Sequence, residues 1–93
     1  MTSRDATIVN RLGLHARAAA RFVHLAARYE AQVRVGRDGR LVDGKSIMGI
    51  LLLAAPRGTT ISIAADGPDE AEAAEALAAL VAGGFGEDTS WNA

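Results

Sequence analysis

The sequence predicts an α+β domain of order β-α-β-β-α-β-α, an antiparallel sheet with its helices on one face. Three observations lead there. Segments rich in β-branched residues, "ATIV" at 6–9 and "TTISIAAD" at 59–66, alternate with apolar or alanine-rich runs of helical period. The stretch "AQVRVGRDGRLVD" at 31–43 carries Asp38-Gly39 at its centre and reads as a hairpin. Ninety-three residues suffice for one core and not two. An antiparallel sheet covered on one side buries the apolar face of every one of these elements.

The elements follow in chain order. "ATIV" supplies the first strand. Residues 16–29 form a helix, with Phe22, Val23, Leu25, Ala26 and Tyr29 on its apolar face. Arg17, Arg21, His24 and Arg28, at spacings of four, three and four, share the other face. Val33 and Val35 alternate with polar residues in the hairpin, where Asp38-Gly39 suits the positive φ of a tight turn. Ser46 then precedes "IMGILLLAA", a short apolar helix stopped by "PRG". "TTISIAAD" is the last strand. The final helix has Pro68 near its start, Asp69, Glu70 and Glu72 at its positive end, and Gly83-Gly84 to close it. The ending "FGEDTSWNA" is expected to be loosely held, with Phe85 available to pack on the domain. The whole chain, 1–93, is one domain with flexible tails expected at 1–4 and about 88–93.

Composition removes several classes of function. About half the residues are apolar, which argues for a folded domain over a disordered one. The absence of cysteine excludes disulfides, thiolate chemistry and Cys-based zinc sites. The longest apolar run, Ile50 to Pro56, is far too short to span a bilayer, and "MTSRDAT" lacks a signal-peptide core. The expected compartment is the cytosol, with no membrane insertion. Charge is divided: all ten Lys and Arg lie in residues 1–57 with four acids, while 58–93 hold seven acids and no base. Such a basic part can steer an anionic ligand or an acidic partner.

The stretch "GLHARAAARF" at 13–22 places His15 at the start of a helix, two residues before Arg17. A helix start leaves backbone N–H groups unpaired and carries a partial positive charge, so it receives anions such as phosphate. Arg17 adds a charge-assisted contact, and Gly13 removes bulk where a partner would approach. No second His, Asp or Glu lies nearby in sequence to complete a metal site or a Ser-His-Asp triad. These residues taken alone support two readings, a histidine that merely caps a helix and a nucleophile that captures and releases a phosphoryl group. His24, inside the helix on the arginine face, reads as a surface residue.

A second motif, "VDGKSIMGILLLAA" at 42–55, sets Ser46 at a helix N-cap behind Lys45. A hydroxyl there is usually a cap worth about 1 kcal/mol, yet a phosphate on it would sit at a favourable helix end. Ile47, Met48 and Leu51 are candidates for a nonpolar docking patch, and part of 51–53 must instead be core. Arg21, His24 and Lys45 complete the candidate partner-docking set.

The two motifs "NRLGLHARAA" and "GKSIMGILLLAA" resemble the signature regions of the HPr family, the histidine phosphocarriers of the bacterial phosphotransferase system; the similarity spans about residues 5–87. The resemblance implies an open-faced β-sandwich, a four-stranded antiparallel sheet packed under three helices. It implies that His15 takes phosphate at Nδ1 from enzyme I, itself charged by phosphoenolpyruvate, and passes it to an enzyme IIA-type domain. Arg17 and the backbone amides of Ala16 and Arg17 would hold the phosphoryl group, with no cofactor and no metal. It implies that Ser46 is the site used by an ATP-dependent HPr kinase/phosphorylase to hinder transfer through the histidine. The protein would be a monomeric carrier and not itself an enzyme. The family usually has proline where Ala18 stands; alanine is also a strong helix former. "NRLGLH" and "GGFGED" are more similar to the nitrogen-related branch than to sugar-pathway carriers, whereas "KSIMG" is similar to a kinase-regulated HPr.

Two other classes of function compete. One is a regulatory binding module in which Ser46 phosphorylation controls docking while His15 stays idle; the intact His15-x-Arg17 weighs against it. The other is an RNA-binding α+β domain, suggested by the arginine face. The scarcity of aromatics and the acidic last helix weigh against nucleic acid.

Overall fold

The computed structural model describes residues 1–87. Four strands, β1 (Thr2–Thr7), β2 (Gln32–Arg37), β3 (Arg40–Asp43) and β4 (Thr60–Asp66), form one sheet in the order β1-β4-β2-β3. Every neighbouring pair is antiparallel. Helices α1 (Ala16–Ala26), α2 (Ile47–Leu52) and α3 (Glu70–Ala82) fill the connections, in the order the sequence predicts.

Alternation in the strands decides which face they cover. Along β4, Ile61, Ile63 and Ala65 are buried while Thr60, Ser62 and Asp66 are exposed. Val33 and Val35 of β2 lie opposite Ala65 and Ile63, so the two central strands present one apolar surface. Phe22 of α1, Ile50 of α2 and Leu77 and Val81 of α3 close over it. Each of these large side chains contributes about 1.5–3 kcal/mol by leaving water. Among the described residues no helix covers the reverse face of the sheet, which gives the open-faced sandwich. Next to Tyr29, Ala31, Ala65, Ala73 and Ala74 make a second buried cluster in which small side chains let α3 approach the sheet closely.

The β2–β3 turn forms as its residues predict, with Asp38 at φ 50° and Gly39 at φ 79°. Arg37 donates from Nη1 to the carbonyls of Leu53 and Ala54, both at 2.8 Å, and Arg40 to that of Leu52 at 2.8 Å. Two of the basic residues of the first half therefore satisfy the carbonyls at the end of α2.

Several boundaries differ from the sequence reading. The first strand runs over 2–7, not 6–9, and Thr2 to Arg4, expected as a loose tail, pair with Ala65 to Ile63 of β4. Local β-propensity missed this because pairing to β4 decides the strand. As an edge strand β1 carries exposed Arg4 and Asp5, which discourage pairing with other chains. Ile8, still fully buried, bonds onward to Thr59 and Gly58. Helix α1 stops at Ala26, and Arg28 and Tyr29 tighten into bonds three residues back. Asp69 does not cap α3 with its side chain; its carboxylate accepts from the N–H groups of Glu30 and Ala31, both at 2.9 Å. The Glu30 amide first, then that of Ala31, holds this carboxyl below its usual range against the opposing effect of burial.

The chain after α3 is also not loose where it is described. Gly84 turns at φ 71°, Phe85 follows at φ 57° and is buried to 1% exposure, and Glu87 N–H bonds to the Gly84 carbonyl at 2.9 Å. The expected tail at 88–93, with Trp91, lies outside the described residues. Among the described residues no helix is long and apolar enough to cross a membrane.

Candidate functional site

The loop ahead of α1 is pinned before the helix begins. Asn10, fully buried, donates from its amide to the Gly13 carbonyl at 2.8 Å, and Leu14 N–H bonds to the Ala55 carbonyl at 3.0 Å. Gly13 has φ 69°, and a Cβ there would stand 2.7 Å from the Ala55 carbonyl oxygen. Its role is this internal fit, not the clearance for a partner that the sequence suggested.

His15 is the N-cap residue of α1, with extended backbone (φ −81°, ψ 177°). Its Nδ1 accepts the Arg17 N–H at 3.3 Å. Its Nε2 lies 2.9 Å and 2.8 Å from the two carboxylate oxygens of Glu87, which is 72 residues away in sequence. Backbone N–H only donates and an ionised carboxylate only accepts, so the partners place the ring proton on Nε2 and the lone pair on Nδ1. The His15 side chain is 24% exposed and that of Glu87 11%. Asn10 fixes Glu87 in turn, donating to Oε1 at 3.0 Å. Burial pushes the Glu87 carboxyl up, but hydrogen bonds from His15 and Asn10 and the neighbouring charge of Arg21 outweigh it and leave it below its usual range.

Arg17, exposed in the first turn, shares a surface depression of about 230 Å³ with Arg11, Leu12, Arg21, Gly86 and Glu87. Three guanidinium groups against one carboxylate make this a place that favours an anion. Arg21 also donates to the Phe85 carbonyl and so binds α1 to the turn that carries Glu87. Ala16 is the first residue of α1, beside Arg17, and Ala18 in the same turn is fully buried; the helix begins here without a proline. His24 is exposed in the last turn of α1. A larger depression, about 460 Å³, lies over the open sheet face at the β2–β3 turn, and none of the sequence-predicted site residues line it.

The second helix start is also as predicted. Ser46 caps α2, its Oγ accepting the Gly49 N–H at 3.1 Å. Lys45 turns away from a free surface role and donates to the Tyr29 carbonyl at 2.7 Å. Ile47 and Met48 are exposed at 38% and 69%. Leu51 is half-buried against the core, and Leu52, at 60%, takes the exposed place expected of it. Leu52 follows Met48 by four residues and shares its exposed side, whereas the seating of α2 on the sheet packs Leu51 against the core.

Sequence reasoning missed Glu87 and Asn10. Neither carries a local signal: Glu87 is one acid among seven in the second half, and its tie to His15 exists only after folding. No cluster of three or more His, Cys, Asp or Glu able to hold a metal occurs among the described residues.

Comparison with known proteins agrees with this geometry. The family described as PTS HPr component phosphorylation site matches residues 2–83. The chain is 55% identical over 87 residues to phosphocarrier protein HPr of Cupriavidus necator, covering 94% of this chain and 98% of that one. It is 51% identical over 88 residues to phosphocarrier protein HPr of Pseudomonas aeruginosa, with coverage of 94% and 98%. Its fold superposes on HPr of Thermoanaerobacter tengcongensis with TM-score 0.90 at 42% identity, covering 95% of this chain and 99% of that chain. The catabolite-repression protein Crh of Bacillus subtilis, crystallised as a dimer with a swapped domain, gives 0.74 at 42% identity over 90% and 97% of the two chains. The capped histidine, the arginine beside it, the open-faced sheet and these full-length similarities lead to one statement: the chain belongs to the HPr family of phosphocarrier proteins.

Proposed function

We propose that this protein relays phosphoryl groups, taking one onto His15 Nδ1 from phosphorylated enzyme I and giving it to an enzyme IIA-type domain. The observation that carries the reading is the division of labour between the two ring nitrogens. Nε2 is held by Glu87, while Nδ1 keeps its lone pair at a helix start. The Arg17 N–H bond to Nδ1 is long at 3.3 Å. A small rotation of the ring about its Glu87 contact exchanges that bond for one from the same N–H to a phosphoryl oxygen. The Ala16 N–H and the Arg17 guanidinium then complete the anion's partners. The protein is a carrier consumed and regenerated with each transfer, acts as a cytoplasmic monomer, and uses no cofactor.

Ser46 is the regulatory site in this reading, phosphorylated by an ATP-dependent HPr kinase/phosphorylase. Its oxygen serves the cap as an acceptor only, and exposed Ile47, Met48 and Leu52 surround the position with docking surface. A phosphate there adds about two negative charges next to that surface and repels an acidic partner. Incubation with enzyme I and phosphoenolpyruvate is expected to leave one acid-labile phosphate on the protein, transferable to an enzyme IIA-type acceptor. A label that survives in His15→Ala, or that cannot be chased to any such acceptor, defeats the relay. Mass spectrometry after incubation with ATP and the kinase is expected to find phosphate on Ser46.

A further inference from the structure

We infer that Glu87 is a positioning residue for phosphoryl transfer: it fixes the His15 tautomer and balances the positive charge the ring acquires when Nδ1 attacks. The inference rests on the relay reading above, and it concerns a residue four positions beyond the segment the family match covers.

The placement of Glu87 is built from several elements. Both its carboxylate oxygens face Nε2, at 2.9 Å and 2.8 Å. Asn10, 0% exposed, aligns Oε1 from the loop before α1. Its backbone is held by the Gly84 carbonyl, by buried Phe85 and by the Arg21 clamp on the Phe85 carbonyl. Among the described residues, the charged groups that share its depression are Arg21 and Arg17 from α1 and Arg11 from the preceding loop.

The chemistry of the step is assisted by such a group. The Nδ1 lone pair forms the new N–P bond as the bond from phosphorus to the donor atom of enzyme I breaks, its electron pair remaining on the donor. The Nε2 proton does not move, so the His15 ring becomes cationic beside a carboxylate already bonded to it. When the phosphoryl group leaves for the acceptor, the electron pair returns to Nδ1 and the ring is neutral again. A carboxylate that sets a histidine tautomer and stabilises its imidazolium works by the same physics in hydrolytic triads. Here it comes from the opposite end of the chain. Without it, only the long Arg17 N–H bond would keep the proton off Nδ1, and a ring carrying its proton there cannot attack.

Nitrogen NMR of His15 in the unphosphorylated protein tests the tautomer without any partner. The wild type is expected to show protonated Nε2 and unprotonated Nδ1, and Glu87→Ala to move both resonances toward averaged values. The rate of phosphorylation by enzyme I is expected to fall about 10- to 100-fold in Glu87→Ala. Glu87→Gln, which keeps the size and loses the charge, should also be slow, with partial recovery in Glu87→Asp. Unchanged nitrogen shifts in Glu87→Ala, or moved shifts with an undiminished rate, overturn the inference. A wild type that accepts no phosphate at all instead defeats the relay, and the tautomer result then stands separately.

Discussion

The starts of α1 and α2 are built alike and equipped differently. Each has a side-chain acceptor capping its own helix, His15 Nδ1 to Arg17 N–H and Ser46 Oγ to Gly49 N–H. The bonds of Ser46 itself are local: its cap partner is three residues on, and its own N–H donates to the Asp43 carbonyl at 3.2 Å. Around His15 they are long-range, since Glu87 and Ala55 come from the last turn and from the end of α2. The surroundings differ too, arginines at one start and exposed apolar side chains at the other. A cap needs only a short motif; a nucleophile needs its second nitrogen controlled, and that control comes from elsewhere in the chain.

The largest effect that would sharpen this contrast is at the histidine. His15→Ala is expected to remove the acid-labile phosphate altogether, while Ser46→Ala leaves transfer unchanged; a phosphate-transfer assay with both variants decides it. Next is the support behind Glu87. Phe85→Ala should destabilise the protein by about 3–5 kcal/mol in urea unfolding, and should slow phosphorylation of His15 even where the variant is still folded. Equal transfer rates at a temperature where both are folded would show that the turn does not serve the site. Ser46→Asp is expected to slow phosphorylation by enzyme I about tenfold at low salt, less as salt screens the charge. A salt-independent effect would point to a changed α2 rather than to repulsion. Ser46→Ala should lower stability by about 1 kcal/mol in the same unfolding assay.

The smallest effect lies far from both starts. The Met1 ammonium, then the Thr2 hydroxyl at 2.7 Å and the Gly67 N–H, hold the Glu70 carboxyl down to about 2. A carboxyl depressed on folding contributes stability in full above its unfolded value of 4.5 and loses it as pH falls toward 2. Melting temperature measured between those limits should therefore fall more steeply with acid in the wild type than in Glu70→Gln. Parallel curves would show that this edge of the sheet adds nothing to acid stability.

Local chemistry accounts for what could be read beforehand. The Asp38-Gly39 turn, the Ser46 cap, the alternation of β4 and the arginine face of α1 each depend on residues a few positions apart, so their patterns survive in one dimension. The first strand begins four residues before its β-branched letters, because Ser3, Arg4 and Asp5 become strand only against β4. Leu51 and Leu52 look equivalent as letters, and the orientation of α2 on the core separates them. Lys45, a docking candidate by sequence, meets the Tyr29 carbonyl only in the fold.

The sequence by itself determined the order of elements, the two capped helix starts and His15 as the candidate nucleophile, because hydrophobic period, turn chemistry and capping act over a few residues. Only the tertiary structure decided that the ring proton sits on Nε2 and that Asn10, Glu87 and His15 form one chain of hydrogen bonds. Residues 77 and 72 positions apart meet only because α3 returns across the sheet and Phe85 buries itself under α1. Contacts of that separation leave no period or spacing in the sequence, since their geometry is fixed by the packing of the whole core.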